Sequence, residues 1–124
     1  MSICKAQAAP AAFEASQRLA VSIGRELRSA GFAPSMHHAE LIKGESRPVL
    51  YPQLGIFRFD RLSALSEARV PAILFEAGVI ANPEEELDLR NPALRARMVA
   101  ALINGLTAFC GRAAYTRDPS APSR

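Results

Sequence analysis

The chain has 124 residues, a formal net charge of +3 and 49% hydrophobic residues. This length suits one small domain and is too short for two, and the composition is that of a soluble globular protein. No basic run is interleaved with aromatic residues, so nucleic-acid binding is not expected. No continuous apolar run reaches the roughly 18 to 20 residues of a membrane-spanning helix, so no transmembrane segment is expected.

The N-terminal part predicts an irregular lead-in over residues 1–10, followed by a helix from Ala11. Apolar and small residues then recur at three- and four-residue steps, the spacing of one helix face. Gly31 is expected to end this helix, because glycine adopts the left-handed conformation without a side-chain penalty. The face comprises Ala12, Ser16, Ala20, Ile23, Leu27 and Ala30.

The middle of the chain carries prolines and glycines that interrupt regular structure. Residues 32–53 are predicted to be mostly loop, with a short strand near Val49 to Tyr51. Residues 55–66 fit either a short helix or a strand. The apolar run from Val70 to Glu76 predicts a strand covered on both faces, because its apolar residues are continuous rather than alternating.

Two helix starts follow this strand. Asn82 with Pro83 is a typical helix cap and first turn, and Asn91 with Pro92 repeats the signal. The second helix is expected to end near Gly111, and residues 111–124 are predicted to be a disordered tail. The order of helix, loop, strands and two helices predicts an α/β fold in which helices cover a small sheet.

Glu76 is a candidate site residue, because it is a carboxylate at the end of an apolar strand. Ligands of open α/β sheets bind beyond the carboxyl ends of strands. Gly78 would allow a turn or a substrate to come close. The alternative is a glutamate that reaches solvent or meets an arginine at the strand end.

Residues 70–89 resemble the closing motif of the bacterial zinc-dependent N-acetylmuramoyl-L-alanine amidases. That motif is an apolar strand, Glu, a small residue, Gly, two apolar residues, a small residue, Asn and an acidic helix start. Here these are Leu74-Phe75, Glu76, Ala77, Gly78, Val79-Ile80, Ala81, Asn82 and Glu84 to Glu86. The resemblance is specific over residues 70–109 and looser over 11–69.

The resemblance implies that residues 11–110 are the C-terminal portion of the cell-wall amidase fold, which is phosphorylase/hydrolase-like. It implies hydrolysis of the amide between N-acetylmuramic acid and L-alanine in peptidoglycan, in the periplasm or cell envelope. Glu76 would be the general base on a zinc-activated water. Gly78 and Asn82 would have structural roles.

The zinc ligands of this family are two histidines and a glutamate from the earlier part of its fold. Neither the family's glycine-rich His motif nor its later motif of Ser, apolar residue, His is expected in this chain. His37 and His38 are interpreted as surface or loop histidines, since adjacent histidines on a strand point to opposite faces. Glu40 and Glu45 nearby could add to a weak site. Zinc is therefore expected to be bound mainly by residues outside the chain.

These expectations describe a fragment that is inactive alone and that carries no export signal. The uncovered sheet edge and apolar face of such a fragment could be hidden by self-association. The alternative is a non-catalytic remnant that keeps the fold and binds peptidoglycan or a partner chain. A third hypothesis is an unrelated α/β domain whose strand ends in Glu by chance.

Overall fold

The computed structural model describes residues 2–5, 10–40, 43, 47–78 and 82–115. Short 3-10 turns at His37–Ala39 and Pro52–Leu54 flank the second strand. The helices and strands are β1 (Ser2–Lys5), α1 (Pro10–Ser29), β2 (Val49–Tyr51), β3 (Ile56–Arg58), α2 (Ser63–Ser66), β4 (Leu74–Glu76), α3 (Pro83–Arg90) and α4 (Pro92–Tyr115).

The strands form one four-stranded sheet in the order β2-β3-β1-β4. β1 pairs parallel with β3, with Ile3 opposite Ile56, and antiparallel with β4, with Ser2 opposite Glu76. The prediction of an irregular lead-in over residues 1–10 is therefore wrong for Ser2–Lys5. Four residues are too few to show a strand pattern, and here the pairing partners on both sides make the strand.

Helices cover the sheet from both sides, which confirms the predicted α/β fold. On one face, α1 and α4 enclose the larger core. On the other face, Phe57 and Leu65 form a smaller core that α2 and the turn at Ala39 close. The buried residues of the larger core are Ile3, Leu19, Ala20, Ile23, Leu27, Phe32, Ile56, Met98 and Ala101.

The strand predicted at Val70–Glu76 is shorter and less buried than expected. Only Leu74–Glu76 is strand, all three residues are half-buried, and Val70 is 66% exposed. β4 lies at one end of the strand order, and each of its faces meets a core, through Leu74 on one side and Phe75 on the other, as predicted. Pro71 lacks the N–H that a strand needs, which explains the late start.

Helix ends agree with the predicted signals at three places. Gly31 has φ +87°, and the amides of Gly31 and Phe32 donate to the carbonyls of Arg28 and Leu27, as in a Schellman motif. The Asn82 side chain accepts from the amide of Glu84. The Asn91 side chain accepts from the amides of the next helix's first turn.

The predicted stop at Gly111 is wrong, because α4 continues to Tyr115. Gly111 is not among the described glycines with a positive φ, and glycine inside a helix costs only about 1 kcal/mol against alanine. The part of the predicted tail at 111–115 is thus helical. Residues 116–124 lie outside the described residues.

The two long helices pack closely at Gly105. A Cβ built on Gly105 would lie 2.6 Å from Ile23 Cα and 3.0 Å from Ile23 N. The Ser22 hydroxyl donates to the Gly105 carbonyl oxygen at 2.8 Å, which ties α1 to α4 across the same contact. Only the absence of a side chain lets the two backbones approach this far.

The outward face of α4 is apolar and exposed. Val99, Ile103 and Leu106 are 52%, 56% and 46% exposed. Pro92–Gly111 also has the length and apolar content of a membrane-spanning helix, while its inward face packs against α1. Self-association through this face and the absence of a transmembrane segment both stay predictions.

We expect Gly105→Ala to lower the free energy of unfolding by about 1–3 kcal/mol, the usual cost of overpacking. The matched control is Gly111→Ala in the same helix, where an added Cβ meets nothing within 4 Å. This control should instead stabilise the fold by about 0.5–1 kcal/mol through helix propensity. Urea denaturation followed by circular dichroism measures both, and equal shifts for the two variants would contradict the close contact.

Candidate active site

Glu76 ends β4 and lies on the face of the sheet that carries the smaller core. Side chains alternate along a strand, and the neighbours of β4 agree with this. Leu74 packs with the Phe57 core, whereas Phe75 packs against the core under α1 and α4. Glu76 follows Leu74 by two residues, so it shares the face of Phe57.

His38 contacts the Glu76 carboxylate directly. His38 Nε2 lies 2.6 Å from Glu76 Oε2, and the two side chains are 11% and 29% exposed. The rings of His38 and Phe57 pack edge to face, with their centroids 5.7 Å apart and their planes at 83°. The aromatic contact and the short turn at His37–Ala39 together aim the imidazole at the strand end.

Arg47 holds the other carboxylate oxygen. Its Nη1 lies 3.3 Å from Glu76 Oε1 and the side chain is 17% exposed. The guanidinium stacks 3.7 Å from the centre of the Phe59 ring, a cation–π contact that orients it. The Arg47 amide also donates to the His38 carbonyl oxygen at 2.8 Å, so the backbone ties the two partners of Glu76 together.

The interpretation of His38 as a surface histidine is therefore wrong. It lies in a loop, as expected, but its side chain is nearly buried against the candidate base. Local sequence carries no signal for this contact, because the partners are 38 residues apart. His37 is the more exposed of the two, and its Nδ1 lies 3.8 Å from Glu40 Oε1.

The expectation that both histidine motifs are absent also needs correction. Ser35, Met36 and His37 do have the order Ser, apolar residue, His that the resemblance assigns to one zinc ligand. In the structure they follow α1 and enter a 3-10 turn, where the Ser35 hydroxyl accepts from the His37 amide at 3.3 Å. The letters match, and the His37 imidazole contacts Glu40 and the His38 ring.

The residues after Glu76 connect the site to α3. A Cβ on Gly78 would lie 3.1 Å from Glu85 Oε2 and 3.1 Å from Leu89 Cδ1, so the bare backbone permits close packing. The Asn82 side-chain Nδ2 donates to Glu85 Oε1 at 3.3 Å. Val79, Ile80 and Ala81 of the motif lie outside the described residues. Structural roles for Gly78 and Asn82 stay predictions.

The site does not have the ligand set of a zinc centre. A catalytic zinc takes three protein ligands from His, Cys, Asp or Glu. Within the described ranges no three such residues come together, and the two donors at the strand end, His38 and Glu76, bind each other. Glu45, which was considered for a weak site, lies outside the described residues. The described donors therefore do not fit zinc.

A family model described as N-acetylmuramoyl-L-alanine amidase matches residues 7–108. The chain belongs to this amidase family. No curated protein matches the chain, and no solved structure matches it. The matched residues include His38, Arg47 and Glu76, so the whole cluster lies inside the amidase region. β1 precedes the match, although it carries the strand pairing on which Glu76 depends.

We expect the purified 124-residue chain to hold well under one zinc per chain after dialysis against metal-free buffer. The physical reason is the missing third donor beside His38 and Glu76. Elemental analysis together with a determination of protein concentration gives the molar ratio of zinc to chain. About one retained zinc per chain would show that residues outside the described ranges complete a metal site.

Proposed function

We propose that the chain supplies the general base of a peptidoglycan amidase that cleaves the bond between N-acetylmuramic acid and L-alanine. Membership of the amidase family supports the reaction class. Glu76 is assigned as the base because its carboxylate is fixed by two partners and is still accessible to solvent. It is bound by His38 and Arg47 at the end of β4 and is still 29% exposed.

In the proposed reaction, Glu76 accepts one proton from water and later transfers it to the leaving nitrogen. The Glu76 side chain is 29% exposed, so a water can reach its carboxylate. A water donates its proton to Glu76 while its oxygen attacks the lactyl carbonyl carbon. The carbon–nitrogen bond then breaks, and the proton passes from Glu76 to the departing nitrogen of L-alanine.

Zinc is assigned to ligands outside this chain in this proposal, because the described donors do not fit it. The 124-residue chain alone is accordingly expected to be inactive. Peptidoglycan is the expected substrate, and the periplasm or cell envelope is the expected place of action. The match to an amidase family supports these assignments at the level of the family.

A second function is a non-catalytic domain that binds peptidoglycan or a partner chain. It is favoured by one observation, the lack of any three-ligand group in the described part of the chain. In that case His38, Arg47 and Glu76 would form a structural ion cluster that closes the strand end. The two functions differ in whether Glu76 is needed for bond cleavage.

The test is a fusion in which the zinc-ligand half of a cell-wall amidase of this family precedes the whole 124-residue chain, so that β1 is retained. With purified peptidoglycan, labelling of new amino termini should reveal released L-alanine ends. Glu76→Gln keeps the size and loses the basic group, so the rate should fall about 10²- to 10⁴-fold, the usual contribution of general-base catalysis.

Glu67→Gln is the matched control, since Glu67 is exposed at the end of α2 and should leave the rate unchanged. A Glu76→Gln fusion that works at the unsubstituted rate would contradict the assignment. A folded, zinc-loaded fusion that cleaves nothing would instead favour the non-catalytic function.

A further inference from the structure

The hydrogen bonds around His38 decide where its ring proton lies. Nε2 is 2.6 Å from a carboxylate oxygen, and two lone pairs would repel at that distance, so the proton is on Nε2. Nδ1 is buried and has no hydrogen-bond partner in the described part of the chain. Of the two neutral tautomers, the one with the proton on Nε2 is therefore favoured, because the other would place two lone pairs 2.6 Å apart and leave an unsatisfied donor on Nδ1.

We propose that His38 is a positioning residue that fixes the Glu76 carboxylate through Nε2–H for its task as a base. The catalytic part of this inference rests on the proposed function. The geometric part, a His38–Glu76 dyad with one defined tautomer, does not. Arg47 completes the arrangement from the second oxygen, so rotation of the carboxylate would break contacts with both partners.

Three contacts restrict the imidazole itself. The ring lies edge-on to Phe57, the His38 carbonyl oxygen accepts from the Arg47 amide, and Nε2 donates to Glu76. Because Phe57 is completely buried, the surface beneath the ring cannot shift easily. A donor held in this way gives a carboxylate one orientation before any substrate binds, which is the basis of preorganised catalysis.

The first test uses the 124-residue chain and needs no activity. Long-range ¹H–¹⁵N spectra report the protonation of each ring nitrogen, and the chain has 2 histidines, so His37→Gln assigns the signals. We expect the neutral ring of His38 to carry its proton on Nε2 and not on Nδ1. Glu76→Ala should abolish this fixed pattern, whereas the His37 signals should not change.

The second test uses the fusion and asks for rescue by a conservative variant. His38→Ala removes the donor and should reduce the amidase rate about tenfold or more, as expected for a lost charge-assisted hydrogen bond. His38→Gln retains an N–H donor near the position of Nε2 and should recover most of that loss. Circular dichroism checks that both variants fold.

The two tests separate the failure of this inference from the failure of the proposed function. A protonated Nδ1 with unprotonated Nε2, or a tautomer unaffected by Glu76→Ala, would overturn the dyad. Equal rates for His38→Ala and the unsubstituted fusion would overturn the positioning role, provided that Glu76→Gln is inactive. A fixed dyad in a fusion that never cleaves would contradict the positioning role and the proposed function while leaving the geometry intact.

Discussion

The pairing of β1 is the constraint on which the rest of the structure depends. β4 pairs with β1, and β1 in turn pairs with β3, so this short strand joins the strand of Glu76 to the other half of the sheet. Ile3 at its centre is 1% exposed and lies in the core under α1 and α4. A strand of four residues thereby sets the position of the candidate base relative to both cores.

The contacts of His38 and Arg47 with Glu76 stabilise a carboxylate that is half-buried at the end of β4. A half-buried charge is costly unless it is paired and hydrogen-bonded. Glu76 is paired on one oxygen with His38 and on the other with Arg47, and both partners rest on aromatic rings of the same face. The same contacts that make burial tolerable also orient the carboxylate, so structural and chemical roles coincide.

The sequence was most informative where local chemistry decides the structure. Gly31, Asn82 and Asn91 mark helix ends by backbone conformation and side-chain capping, which act within a few residues, and these predictions are confirmed. β1 and the His38 contact could not be predicted in this way, because each depends on partners far along the chain. The strand Leu74–Glu76 was found, but its start was placed too early, because local hydropathy does not show where pairing with β1 begins.

The most direct measurement of the central claim, that Glu76 acts as the base, is chemical rescue. Glu76→Ala in the fusion leaves room for a small carboxylate, and added formate can take the place of the missing group. The account predicts that amide cleavage returns in proportion to formate concentration, while formate does not accelerate the unsubstituted fusion. A folded, zinc-loaded Glu76→Ala fusion that cleaves at the unsubstituted rate without formate would contradict the account.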